Sequence, residues 1–155
     1  DHFKKFNDTH GHDVGDQVLR LVASKLSKIG GGGRAYRYGG EEFALVFAGK
    51  TIEECMPHLE VIRESIANYS IQLRNPDSRP QDDQQGRQRR AGAGASSVSV
   101  TVSIGVAERI EQRTPEEVLK SADQALYNAK GAGRNCVIAY GQNRRGAVRM
   151  EAAAG

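Results

Sequence analysis

Glu41 and Glu42 stand side by side immediately after Gly39-Gly40, inside the stretch RAYRYGGEEFALVF. Like charges at adjacent positions repel, and a tight turn needs the glycines but not the glutamates. Two readings stay open. On an exposed hairpin, one of two neighbouring strand residues must point outward, where water accommodates its charge. In the other reading, one carboxylate holds a hard divalent cation, which offsets the repulsion and draws in a phosphate substrate.

A second polar crowd lies at the approach to the first expected helix: Lys4, Asn7, Asp8, His10, His12, Asp13 and Asp16. Helix capping and a solvated loop would account for it, with Asp16 in the helix's first turn, where the dipole favours a carboxylate. The functional alternative is a pocket for a base or sugar, with Asn and Asp supplying complementary hydrogen bonds. Lys130 and Arg134 flank the glycine stop of the last long helix. Cations complement a helix C-terminus, and they also suit a polyphosphate clamp. The histidines of the HGH triplet are too few to argue for zinc; a turn or a substrate contact is the better reading.

The elements that must position these residues follow from periodicity. Val14, Val18, Leu21, Val22, Leu26 and Ile29 recur at helical spacing over residues 13–29, and the glycines from Gly30 end that helix. Residues 34–38 and 42–48 alternate like strands, with Gly39-Gly40 as the hairpin turn that takes positive φ. TIEE at 51–54 is a capping box that opens a helix to about Asn68, with Pro57 as a kink near its start. VSVTVSIGV at 98–106 is the clearest strand, its apolar residues facing one way and Ser, Thr and Gly the other. TPEE at 114–117 opens a last helix whose buried stripe is Val118, Ala122, Ala125, Leu126 and Ala129. A short strand over 135–140 closes the series. Helix, hairpin, helix, strand, helix, strand describes an α+β domain: an antiparallel central sheet with helices packed around it.

One domain over 1–141 accommodates this order within the 155 residues, 38% hydrophobic and 26% charged, of an ordinary soluble globular chain. Residues 75–97 have almost no apolar side chains and read as a flexible insertion, and 142–155 as a disordered tail. The net charge of +3 sits in these two segments, with five Arg against three Asp over 74–90 and three Arg against one Glu over 141–155. The rest is near neutral, which argues against nucleic acid as a partner, as does the lack of basic residues beside aromatics on the strongest strand. Cys55 and Cys136 are far apart and fit no metal spacing, which suits a reducing cytoplasm. No apolar run is long enough for a membrane span.

Four blocks, DHFKKFNDTHGHDVGD, RAYRYGGEEFALVF, VSVTVSIGVA and ADQALYNAKGAGRN, stand in the order and spacing of the GGDEF family, which the chain resembles over nearly its whole length. These are the diguanylate cyclase domains of bacterial signalling proteins. The resemblance implies a ferredoxin-like, nucleotidyl-cyclase palm fold and the condensation of two GTP molecules into cyclic di-GMP with loss of pyrophosphate. It implies Mg²⁺ as the cofactor, with Mn²⁺ as an alternative, and Glu41 as its ligand and as the group that activates the attacking 3′-hydroxyl. Glu42 lines the site, and Gly39 and Gly40 let the backbone approach the phosphates. Asn7 and Asp16 recognise guanine, His12 contacts the nucleotide, and Lys4 stabilises charge on the phosphates. Lys130 and Arg134 hold the terminal phosphates. A homodimer of domains, an upstream sensory or regulatory domain and a cytoplasmic location follow, whether or not the parent is anchored in the inner membrane. The alternative is a degenerate domain that binds GTP or a protein partner without catalysis; the complete set of motif residues counts against it.

Two departures from the family pattern carry expectations. The family's first block begins Asp-x-Asp at the end of a strand, and Asp1 matches the second Asp. The first strand and the other metal ligands then fall before Asp1, so a polypeptide of these residues alone is expected to be inactive and poorly stable. The family's Arg-x-x-Asp inhibitory site corresponds to Gly30 and Gly33, where both charges are missing. This predicts no product inhibition through that segment; micromolar cyclic di-GMP binding that changes when residues 30–33 are substituted would contradict it.

Overall fold

The computed structural model describes residues 1–72, 97–110 and 114–141. The tail 142–155 and all but Ser97 of the insertion 75–97 lie outside them. The elements run α1 (Phe3–His10), α2 (His12–Leu26), β1 (Arg34–Gly39), β2 (Glu42–Val46), α3 (Ile52–Ala67), β3 (Ile71–Gln72), β4 (Ser97–Val98), β5 (Ile104–Val106), α4 (Pro115–Gly131) and β6 (Val137–Ala139). The class is α+β, as the alternation implied. The strands form three pairs: β1 with β2 and β3 with β4 antiparallel, and β5 with β6 parallel.

The core is a helix-on-helix seam. Val18, Val22 and Leu26 of α2 meet Ile62 and Ile66 of α3, residues at i, i+4 spacing that each helix stacks on one face. Val100, Val102 and Ile104 press against the same cluster, so the alternation read from 98–106 does set which side chains face inward. The continuous strand expected there is nevertheless broken. Residues 99–103 have no ladder partner among the described residues, and only their ends, β4 and β5, pair. Ser97, the last residue of the expected insertion, pairs with Gln72.

Both capping boxes form. Thr51 accepts from the Glu54 amide while the Glu54 carboxylate accepts from Thr51 N at 2.9 Å, and Thr114 and Glu117 repeat this at α4. The Thr51 amide, and then Lys50, hold the Glu54 carboxyl below the usual carboxylate range. The Glu108 carboxylate accepts from Ile52 N at 3.1 Å, tying the start of α3 to the strand side of the molecule. Pro57 is the sixth residue of α3, which continues through it to Ala67.

The first ten residues depart from the reading as a polar loop. They form α1, because Phe3, Phe6 and His10 recur at three- and four-residue spacing and give a short polar helix one apolar stripe. Phe6 and His10 rings lie 4.6 Å apart, and both Phe3 and Phe6 reach the core. Gly11, at φ 83, makes the corner into α2. Since α2 therefore starts at His12, Asp13 is the acidic residue of its first turn and Asp16 lies beyond it.

Gly105 fixes how α4 sits. A side chain there would run into the backbone of α4, at the Ala122 carbonyl and the Leu126 amide, so helix and strand meet without a spacer. Gly105→Ala is expected to cost about 3 kcal/mol in urea unfolding, since backbone cannot rotate aside. Thr114→Ala, which removes one cap, is expected to cost about 1 kcal/mol. Equal losses would refute the close seat of α4.

Candidate functional site

The hairpin carrying the acidic pair is irregular at its tip. Arg37 pairs with Phe43 and Gly39 with Glu42, which leaves Tyr38 as a bulge. That extra residue displaces the turn by one position. Gly39 stays in β1, only Gly40 has positive φ (34°), and the loop is Gly40-Glu41 rather than Gly39-Gly40. Glu41 thus occupies the exposed turn and Glu42 the first position of β2, so the two carboxylates are not consecutive members of one strand. Arg37 closes the tip: its Nη2 donates to the Gly40 carbonyl at 2.6 Å, and its guanidinium lies 6.0 Å from the Phe43 ring centre. The sequence reading treated Arg37 only as a strand residue; a cation two residues before the glycines was the available signal.

Asp1 gathers the other side of the site. Its carboxylate accepts from Thr101 Oγ1 at 2.8 Å, Ser103 Oγ at 2.7 Å and the Asn135 amide at 3.3 Å, and its backbone nitrogen donates to the Thr101 carbonyl at 2.8 Å. Glu41, Lys130 and Arg134 all lie within electrostatic reach of Asp1, although they come from a hairpin, a helix end and a loop. The hydroxyls of Thr101 and Ser103, visible in the sequence only as the polar alternate face of a strand, are the partners that hold Asp1.

Lys130 is in the last turn of α4, and Arg134 follows in a loop where Gly133, Arg134 and Asn135 all have positive φ (105°, 65° and 45°). The expected glycine stop is real, but the left-handed run extends over two residues that are not glycine.

The remaining candidates form a second group around α1 and α2. Asn7 lies on α1 with its Oδ1 buried and without a hydrogen-bond partner among the described residues. It rests on Gly15 of α2, where a Cβ would overlap Oδ1 and the Phe3 ring. Asp16 is the next residue, exposed, as is His12 at the start of α2. Lys4 is exposed on α1, one turn before Asn7. Among the described residues, no side-chain hydrogen bond or ion pair joins this group to Glu41, Lys130 or Arg134.

As for a metal, the described residues contain no trio of His, Cys, Asp or Glu that could hold one. Glu41 supplies a single exposed carboxylate. Mg²⁺ is commonly held by one or two carboxylates together with substrate phosphates, so Glu41 fits as one side of such a site and not as a complete cage.

Residues 1–136 match the family model described as "Diguanylate cyclase, GGDEF domain". The chain is 38% identical over 139 residues to the diguanylate cyclase VdcA of Vibrio cholerae, covering 89% of this chain and 36% of that protein. It is 36% identical over 140 residues to the response regulator PleD of Caulobacter vibrioides, covering 89% of this chain and 27% of that protein. The chain thus spans about a third or less of these relatives. Among solved structures, the GGDEF domain of DgcB from Caulobacter crescentus in complex with c-di-GMP is similar at a TM-score of 0.74 and 36% identity, covering 92% of this chain and 74% of that one. The active GGEEF domain of a diguanylate cyclase from Vibrio cholerae is similar at 0.68 and 28%, covering 92% and 78%.

The seat of Asn7 is directly testable. Gly15→Ala should lower stability by about 2 kcal/mol in chemical unfolding, because the added methyl displaces the Asn7 amide or parts α1 from α2. A variant as stable as the unaltered chain would contradict that packing.

Proposed function

The chain belongs to the GGDEF family of diguanylate cyclase domains, and from that premise we propose that it condenses two GTP molecules into cyclic di-GMP, releasing two pyrophosphates. The observation that carries the proposal is the hydrogen-bonded seat of Asp1, which joins the loop of Arg134 and Asn135 to Thr101 and Ser103 and lies within electrostatic reach of Glu41, Lys130 and Arg134. Two cations and a carboxylate from three separate elements suit a polyphosphate with an accompanying cation.

In this reading Asn7 and Asp16 bind guanine. The orphaned Oδ1 of Asn7 supports this, since a buried unpaired acceptor costs about 1–3 kcal/mol and is uncommon without a use. His12 contacts the nucleotide, and Lys4 offsets charge on the phosphates. Lys130 and Arg134 hold the terminal phosphates, the future leaving group. Gly39 and Gly40 let the hairpin backbone come near the phosphates, and Glu42 lines the same edge. A divalent cation, Mg²⁺ with Mn²⁺ as the alternative, would be held by Glu41 and the phosphates and would supply charge neutralisation.

The 3′-hydroxyl of one GTP gives its proton to the Glu41 carboxylate as its oxygen bonds the α-phosphorus of the other. The bond to the bridging oxygen breaks, and pyrophosphate leaves with the electron pair. Two such transfers close the ring. Each domain binds one GTP, so two domains must face each other, and the reading includes a homodimer governed by a regulatory domain. The relative PleD is a response regulator, which supports that arrangement. Catalysis here is positioning and charge stabilisation.

The test is product formation from GTP and Mg²⁺ in the longest polypeptide the gene encodes, with cyclic di-GMP and pyrophosphate both quantified. Glu41→Ala should reduce turnover by about 100-fold or more while GTP still binds. Undiminished product would overturn the role of Glu41. GTP binding without product in a demonstrated dimer would make the domain a non-catalytic binder.

A further inference from the structure

Arg63 of α3 is only 15% exposed at its side chain and uses its whole guanidinium. Nε donates to Glu60 Oε2 at 2.7 Å, Nη2 to Glu64 Oε1 at 3.2 Å, and Nη1 to Asn135 Oδ1 at 3.0 Å, 72 residues away. Two carboxylates answer its charge, so Arg63 is a strut and not a phosphate ligand. Its far end grips the residue next to Arg134.

That residue needs gripping. Arg134 and Asn135 both hold positive φ, a conformation disfavoured for side-chain-bearing residues and more so for Arg than for Asn. Such a backbone persists only where its surroundings over-determine it. Here the Arg134 amide donates to the Ala129 carbonyl at 3.0 Å and the Asn135 amide to Asp1. Among the described residues, the Asn135 side chain is held by Arg63 alone. The φ of Arg134 sets where its side chain leaves the loop, so relaxation toward the right-handed region would redirect the guanidinium.

We propose that Arg63 is a positioning residue for the phosphate clamp, acting through Asn135 to hold Arg134 in the direction that binds the terminal phosphates of GTP. This rests on the reading of Lys130 and Arg134 as that clamp.

The experiment compares the affinities of GTP and GMP, which share base, sugar and α-phosphate, in the same full-length polypeptide. The unaltered protein should prefer GTP. Arg63→Ala should cut the GTP affinity about five- to tenfold while leaving GMP unchanged, and Asn135→Ala should do the same without a further loss in the double variant. In an Arg134→Ala background, Arg63→Ala should have no added effect on the ratio. Should Arg63→Ala fail to fold, Asn135→Ala, on an exposed loop, carries the test. A GTP-to-GMP ratio unmoved by both substitutions, or equal loss of both ligands, would overturn the positioning role while leaving the clamp in place. No GTP preference in the unaltered protein would overturn the clamp reading, and this proposal with it.

Discussion

One carboxylate holds the site in register. Asp1 accepts hydrogen bonds from Thr101, Ser103 and the Asn135 amide, partners 100 or more residues away in sequence. The segment from Ser99 to Ser103 has no ladder partner among the described residues, and two of its hydroxyls donate to Asp1. With Asp1 in place, the start of α1, the inner segment leading into β5 and the loop after α4 share a single fixed point. Hydrogen bonds to a charged acceptor are worth about 1.5–3 kcal/mol each, enough for three of them to decide how these elements meet. Everything proposed for the phosphate end of the site is built around that point.

The two halves of the site are held differently. The end proposed for the base is a matter of close packing, with Asn7 against a glycine that leaves room for nothing larger. The end proposed for the phosphates is a matter of charge and loop conformation, with Glu41 on an exposed turn closed by Arg37, Lys130 in the last turn of α4 and Arg134 on a strained loop. Rigid seating suits recognition of a planar base by a few hydrogen bonds. An exposed turn suits a group whose ligands arrive with the substrate. The unconnected halves also explain why a nucleotide spanning both would have a strong organising effect.

Much of this was legible in the sequence because the signals were local. The capping boxes of Thr51–Glu54 and Thr114–Glu117 and the inward set Val100, Val102 and Ile104 depend only on neighbours in the chain. What escaped depended on tertiary partners. The polarity of residues 3–10 hid α1, whose stripe of Phe3, Phe6 and His10 matters only against α2. The bulge at Tyr38 moved the turn from Gly39-Gly40 to Gly40-Glu41, which alternation alone does not specify. The strand over 98–106 has the right pattern but a ladder only at its ends. Arg63, which no local sequence motif singles out, acquires meaning only when Asn135 is placed beside it.

The central claim is that the hairpin tip and the loop after α4 hold the phosphates of the same nucleotide whose base lies on α1 and α2. Backbone amide resonances followed during a GTP titration test it most directly. The account predicts coincident shifts at Gly40–Glu42, at Gly133–Asn135 and at Asn7–Asp16, with a common affinity. Shifts confined to one of these regions, or centred instead on the cleft lined by Lys5, Thr9 and Thr101, would contradict it.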